Sequence, residues 1–220
     1  MKGRNARTVY GCASVLLSYP GEPAYPADLA AVEQATARLP DGPARTHLQR
    51  CTTWLRSMAP LAAAAAYVEV FDNRRRRGLY LTYYRHGDTR ERGMALAALA
   101  GAYRQAGFVI QPGELPDFLP ALLELAASTQ AGEALLSEHR AAVEVLQAEL
   151  EEAKSPYAWP VAAVSAALGP LDRAGRALLE RYRERGTPTE DVGLEPFAPP
   201  EAVAPTDDLL SATTGIYSAR

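Results

Sequence analysis

Apolar residues recur along this chain at three- and four-residue intervals, and nowhere do they alternate with polar ones for long enough to build a strand. That period predicts helices throughout. A first helix over residues 6–18 puts Val9, Cys12, Ala13 and Leu16 on one face and stops at Pro20-Gly21. A second, 27–39, ends at the turn Pro40-Asp41-Gly42-Pro43, and a third, 47–58, aligns Leu48, Cys51 and Leu55. Pro60 suits the start of a fourth, since an amide in the first helical turn has no intrahelical partner to lose. That helix carries Tyr67 and Phe71 one turn apart.

Further along, Leu79, Tyr80, Tyr83 and Tyr84 form a short helical face ending at Gly87. Asp88 followed by Glu91 has the spacing of a capping box and predicts a helix over 88–106, with Met94, Leu96, Leu99 and Tyr103 on its buried side and Gly107 just past its end. Asp117, after a loop over 111–116, is placed to cap a helix containing Leu119, Leu122, Leu123 and Ala126. One long helix is expected over 133–153, and Ser155-Pro156 signals the start of the next. Gly169-Pro170 separates that one from a last helix ending near Gly186. The expected fold is all-α: a single-domain bundle of about ten helices over residues 1–186. Residues 187–220 are rich in proline and acids and lack helical periodicity, so they are expected to be a disordered tail.

Composition narrows the function classes. The chain has 220 residues, 48% of them hydrophobic, enough for a core without staples. Its net charge of -3 argues against wholesale adsorption to nucleic acid or anionic lipid, although a local patch could still act. Cys12 and Cys51 make neither a metal pair nor a disulfide framework and read as small buried hydrophobes in a reducing compartment. The apolar part of the first twenty residues is short and interrupted by Ser14 and Ser18, unlike a secretory signal, so the expected location is cytoplasmic, without stable membrane insertion. There is no phosphate loop, nucleophile elbow or paired-histidine zinc helix, and His47, His86 and His139 are far apart. No catalytic residue and no metal site is expected.

One constellation stands out. The stretch YVEVFDNRRRRGLYLTYYRHGDTRERG, residues 67–93, sets Tyr67, Phe71, Tyr80, Tyr83 and Tyr84 beside Arg74, Arg75, Arg76 and Arg77. Taken singly, each ring fits a core and the arginines fit a solvated turn. Taken together, tyrosines and arginines suit a protein-binding cleft, because both pair an apolar body with a polar end. Arginines facing phosphate offer an alternative, a helical nucleic-acid-binding regulator using Arg74 to Arg77, but no recognition helix accompanies them.

The same stretch, followed by ELPDFLPALLELAA, resembles the NarJ-type assembly chaperones of respiratory nitrate reductase, also called the nitrate reductase delta chain and related to the TorD and DmsD chaperones. The resemblance is strongest over residues 67–127. It implies a non-catalytic cytoplasmic protein without a cofactor of its own. Such a protein binds the N-terminal segment of the catalytic alpha subunit and holds the immature enzyme until molybdenum cofactor and an iron-sulfur cluster are inserted. The implied partners are that segment and the cofactor insertion machinery, with no nucleic acid. Tyr67, Phe71, Leu79, Tyr80, Tyr83 and Tyr84 are then expected to line the client groove, with Arg75, Arg76 and Arg92 at its rim. Glu114, Leu115, Pro116 and Asp117 match the E-x-P-D-H recognition loop of that superfamily, but Phe118 stands at the histidine position and cannot titrate.

Overall fold

The computed structural model describes residues 3–21, 25–72 and 75–186; the expected tail lies outside them. Eleven α-helices are found among the described residues: α1 (Arg4–Leu16), α2 (Tyr25–Ala37), α3 (Pro43–Arg56), α4 (Pro60–Phe71), α5 (Leu81–His86), α6 (Arg90–Gln105), α7 (Leu119–Ser128), α8 (Gln130–Glu138), α9 (Arg140–Glu152), α10 (Ala158–Leu168) and α11 (Arg173–Arg185). A single 3₁₀ turn, Arg75–Arg77, stands between α4 and α5. The all-α expectation holds.

α1 lies at the centre because it is apolar on more than one side: Val9, Ala13 and Leu16 are fully buried, and the helix packs on α7, α10, α2 and α3. Gly11 faces Ala127 of α7, where an added β-carbon would make ordinary van der Waals contact at 3.6 Å. The Ser14 hydroxyl donates to the Pro120 carbonyl at 2.8 Å, tying the two helices at the same level. α3 and α9 pack against α10, whose Val161, Ala163 and Val164 are buried, which closes the core. Each leucine fully withdrawn here, such as Leu48, Leu122 or Leu146, contributes about 1.5–3 kcal/mol through lost apolar contact with water.

Three local expectations are corrected. The apolar pattern over 133–153 belongs to two helices, α8 and α9, which break at His139 (φ -94°, ψ 12°); the His139 ring nitrogen lies 2.9 Å from the Leu135 carbonyl. No proline or glycine marks that break. The proposed capping box is also not formed: Thr89 occupies the N-cap position of α6 without a side-chain hydrogen bond, and Glu91 reaches His86 at 3.3 Å instead. Of the four residues expected to be buried on α6, only Leu99 and Tyr103 are. Leu96 is half-buried and Met94 is 68% exposed, because α6 packs chiefly on the short α5 and lies at the edge of the molecule.

Candidate functional site

The aromatic residues of the singled-out stretch divide into two groups. Tyr67 and Phe71, one turn apart on α4, meet with their ring planes tilted and centroids 4.8 Å apart, and turn inward, each only 6% exposed. Both meet Tyr157, at 5.9 and 4.9 Å, and Tyr157 in turn meets Trp54, at 5.1 Å. Leu79 is buried too. Tyr84 is the most enclosed: its hydroxyl bonds to the carbonyls of Arg76 and Gly78 at 3.0 and 2.8 Å, so the ring pins the arginine turn from beneath. Burial raises its pKa well above the ordinary tyrosine value. Tyr67, Leu79 and Tyr84 therefore support the site from behind and do not wall it.

Tyr80 and Tyr83 stay half-exposed. With the edge of Phe71 and with Asp72, Asp88 and Arg92 they line an open concavity of about 330 Å³. Its position follows from the ends of three helices meeting. α4 ends at Phe71, Tyr80 is the N-cap residue of α5, and Arg92 lies in the first turn of α6. Asp72 and Asp88 are site residues that sequence reasoning missed. Asp72 directly follows Phe71, which is a usable signal, whereas the spacing of Asp88 to Glu91 points to a helix cap.

The loop at 114–118 braces this wall. The Leu81 amide donates to the Asp117 carbonyl at 3.0 Å and the Leu119 amide to the Leu79 carbonyl at 2.8 Å, pairing Tyr80 with Phe118 in one antiparallel bridge. Their rings lie 5.6 Å apart. Asp117 does not cap the helix that follows it: Phe118 is the N-cap residue of α7 and makes no side-chain bond. The fully buried Asp117 carboxylate instead accepts from the Thr82 amide at 3.1 Å and the Thr82 hydroxyl at 2.5 Å, capping α5 from a segment 35 residues away. The Arg92 guanidinium lies 3.7 Å from the same carboxylate and 3.6 Å from Asp88, and its Nε donates to the Thr82 hydroxyl at 3.2 Å. Glu114 accepts the Leu115 amide at 2.9 Å and lies 3.5 Å from the Tyr80 hydroxyl; Leu115 is exposed and Pro116 buried. Burial first, then the charges of Glu114 and Asp117, raise the Tyr80 pKa.

The arginines separate as well. Arg92 belongs to the groove, but Arg76 lines a different concavity, of about 430 Å³, with Glu149, Tyr182, Arg183 and Arg185 from α9 and α11. Its expected place at the groove rim is therefore corrected: it is not among the residues that line the tyrosine concavity. Arg74 and the side chain of Arg75 lie outside the described residues. A third concavity, of about 660 Å³, between the α1–α2 connection and the ends of α2, α3 and α4, is lined by Tyr19, Tyr25, Leu29, Met58, Leu61 and Ala64 among others. Its wall comes from four separate elements, so no local pattern announced it.

No group of three or more histidine, cysteine or acidic residues among the described residues is placed to hold a metal ion. No described helix is long and apolar enough to cross a membrane. Both cysteines are buried free thiols, and burial pushes the Cys12 pKa up to about 11 and that of Cys51 higher still.

The family model described as nitrate reductase delta subunit matches residues 38–163, a stretch that holds the groove and the brace alike. The nitrate reductase-like protein NarX of Mycobacterium tuberculosis (strain H37Rv) is 46% identical over 158 residues, 71% of this chain, and the match spans 24% of NarX, about a quarter of its length. The probable nitrate reductase molybdenum cofactor assembly chaperone NarJ of Bacillus subtilis (strain 168) is 32% identical over 160 residues, 72% of this chain and 86% of that protein. The nitrate reductase molybdenum cofactor assembly chaperone NarJ of Escherichia coli (strain K12) is 39% identical over 106 residues, 47% of this chain and 45% of that protein. With a family match over more than half of its residues and a relative aligned along most of its own length, this chain belongs to the nitrate reductase delta subunit family.

Proposed function

We propose that this chain is an assembly chaperone for a respiratory nitrate reductase. In this reading it holds the immature catalytic alpha subunit in the cytoplasm, by a segment at that subunit's N-terminus, until molybdenum cofactor and an iron-sulfur cluster have been inserted. It carries no cofactor and performs no chemistry of its own. The observation that carries the reading is the open tyrosine groove beside the braced 114–118 loop, both within the family match. Relatives named as molybdenum cofactor assembly chaperones support the role.

The physical arrangement suits temporary holding. A concavity of about 330 Å³ is at the small end of ligand sites, which run to roughly 300–1,000 Å³, so it takes a side chain or two from a larger partner. A client segment that becomes helical on docking gives up about 2–5 kcal/mol in ordering, which keeps affinity moderate and release feasible. Half-exposed tyrosines on a rigid wall supply contact area at little entropic cost of their own. The buried Asp117 brace keeps that wall in place while the groove is empty.

The test is maturation in cells. In a nitrate-respiring strain whose own chaperone of this kind is deleted, the wild-type chain is expected to restore nitrate reductase activity and molybdenum content. Tyr83→Ala should restore less than a tenth of that, and Val109→Ala, altering a 91% exposed side chain that does not line the groove, should restore it fully. Equal rescue by Tyr80→Ala, Tyr83→Ala and wild type would remove the groove from the account.

A further inference from the structure

The concavity of about 660 Å³ shares no lining residue with the tyrosine groove and has no part in the role proposed above. It lies where α2 and α4 begin and α3 ends. Burial divides its wall. Tyr25, Leu55 and Ala63 are withdrawn from solvent and make the floor, whereas Tyr19 and Leu61, 48% and 83% exposed, make the rim. The Tyr19 ring is held edge-on against Tyr67 at 5.5 Å between centroids. Arg56, also on the wall, is already paired with Glu33 at 2.7 Å and offers no spare charge. We infer that this concavity binds a free small molecule, a ring-sized and mainly apolar compound whose uncharged carbonyl oxygen accepts a hydrogen bond from Tyr25.

Two independent observations point to that ligand class. First, a donor at the floor is unsatisfied: Tyr25 is 7% exposed, and its hydroxyl is withdrawn from water without a hydrogen-bond partner, a costly state that an acceptor oxygen would relieve. The hydroxyl of Tyr157, whose ring packs on Tyr67, is in the same state. Burial, then the proximity of Cys51, raises the Tyr25 pKa, so the hydroxyl keeps its proton and remains a donor at neutral pH. Second, α4 starts at the concavity with no side chain capping its first turn, since the N-cap residue Ala59 makes no such bond. Uncapped amides at the positive end of a helix also favour an acceptor. The volume falls within the roughly 300–1,000 Å³ usual for small-molecule sites. A carboxylate would lose more hydration at an apolar floor than one hydroxyl replaces, so the acceptor is neutral.

The experiment titrates the full chain with acetophenone, with α-methylstyrene, which has the same outline but no acceptor, and with benzoate. Amide resonances of Tyr25, Leu55 and Ala63 are followed by NMR. Acetophenone should shift them and leave those of Tyr80 and Tyr83 in place, and benzoate should bind weakest. Tyr25→Phe should weaken acetophenone at least fivefold relative to α-methylstyrene, the loss expected for one hydrogen bond. The same variant should melt at or above the wild-type temperature, because it removes a donor that the free protein leaves unpaired. Ala64→Leu, which fills part of the hollow, should weaken both neutral probes together. Failure of both neutral probes to reach these resonances overturns the inference, as does an equal effect of Tyr25→Phe on the two. So does benzoate binding as tightly as acetophenone. A clearly lower melting temperature for Tyr25→Phe also overturns it, since a trapped water would then already serve the hydroxyl. A client peptide that displaces acetophenone gives the concavity to the client and overturns the inference; simultaneous binding of peptide and acetophenone supports it.

Discussion

Asp117 is the residue on which the site's shape depends most. Its buried carboxylate takes two hydrogen bonds from Thr82 and lies beside Arg92, and charge-assisted bonds of this kind contribute about 1.5–3 kcal/mol each. Asp117→Ala is expected to lower stability in urea unfolding by about 3 kcal/mol and to free the 114–118 loop, whereas a loss under about 0.5 kcal/mol would show that the brace does not hold. Tyr84→Phe removes a buried hydroxyl bonded to the Arg76 and Gly78 carbonyls and should cost about 1 kcal/mol, leaving the groove tyrosines as they are. His47 gives the fold a pH dependence. Its Nδ1 is buried without a partner, and burial, then Arg50, lower its pKa against a smaller opposing pull from Glu151. The folded chain therefore binds that proton less readily than the unfolded chain, whose histidine titrates near about 6.5. The contribution is complete above that pH, is lost as pH falls from it toward the folded value, and then levels off. His47→Gln should flatten the stability profile on the acid side of pH 6.5 in urea titrations; an unchanged slope would contradict the assignment.

At the scale of elements, corners between helices carry most of what the apolar pattern left out. α7 and α8 meet at Thr129, whose hydroxyl accepts the Gly132 amide at 2.9 Å. Gly132 lies against α7 so closely that a β-carbon would come within 2.4 Å of the Leu125 carbonyl carbon. Gly132→Ala must therefore move backbone and is expected to cost about 2–3 kcal/mol, visible as a lower urea midpoint at unchanged slope; a neutral result would mean that the corner is looser than described. Helix existence was legible because sets such as Val9, Cys12, Ala13 and Leu16 recur at helical spacing, and all four are buried. Helix ends were less so. Asp88 and Asp117 have the chemistry of local caps, but Asp88 pairs with Arg92 four residues on, and Asp117 is drawn to the Thr82 amide and hydroxyl at the start of α5, 35 residues away in sequence. No proline or glycine signals the break at His139, and Met94 extends the apolar pattern of α6 past its buried Leu99 and Tyr103 to a position that is 68% exposed among the described residues.

For the whole molecule, the aromatic and arginine-rich stretch is legible in the sequence as unusual, and the segment carrying Asp117 as its companion. What could not be read was which way each side chain turns. Tyr67, Phe71 and Tyr84 serve the core, Tyr80 and Tyr83 remain at the surface, and the 3₁₀ turn takes Arg76 away from them toward α9 and α11. That division depends on long-range packing against Tyr157 and Tyr182. The core should be closed to reagents as well: Cys12 and Cys51, buried and protonated at neutral pH, are expected to react with a thiol-specific dye only at the rate of unfolding, and prompt labelling of either would show the bundle to be open.

The central claim, that Tyr80 and Tyr83 form a wall against which a client segment docks, is tested most directly by calorimetric titration of the full chain with a peptide from the N-terminus of the nitrate reductase catalytic subunit. The account predicts reversible one-to-one binding, weakened at least tenfold by Tyr83→Ala, or about 1.4 kcal/mol, and unmoved by Val109→Ala. Binding of equal strength in wild type and in a folded Tyr80→Ala/Tyr83→Ala double variant, or no binding to either, would contradict it.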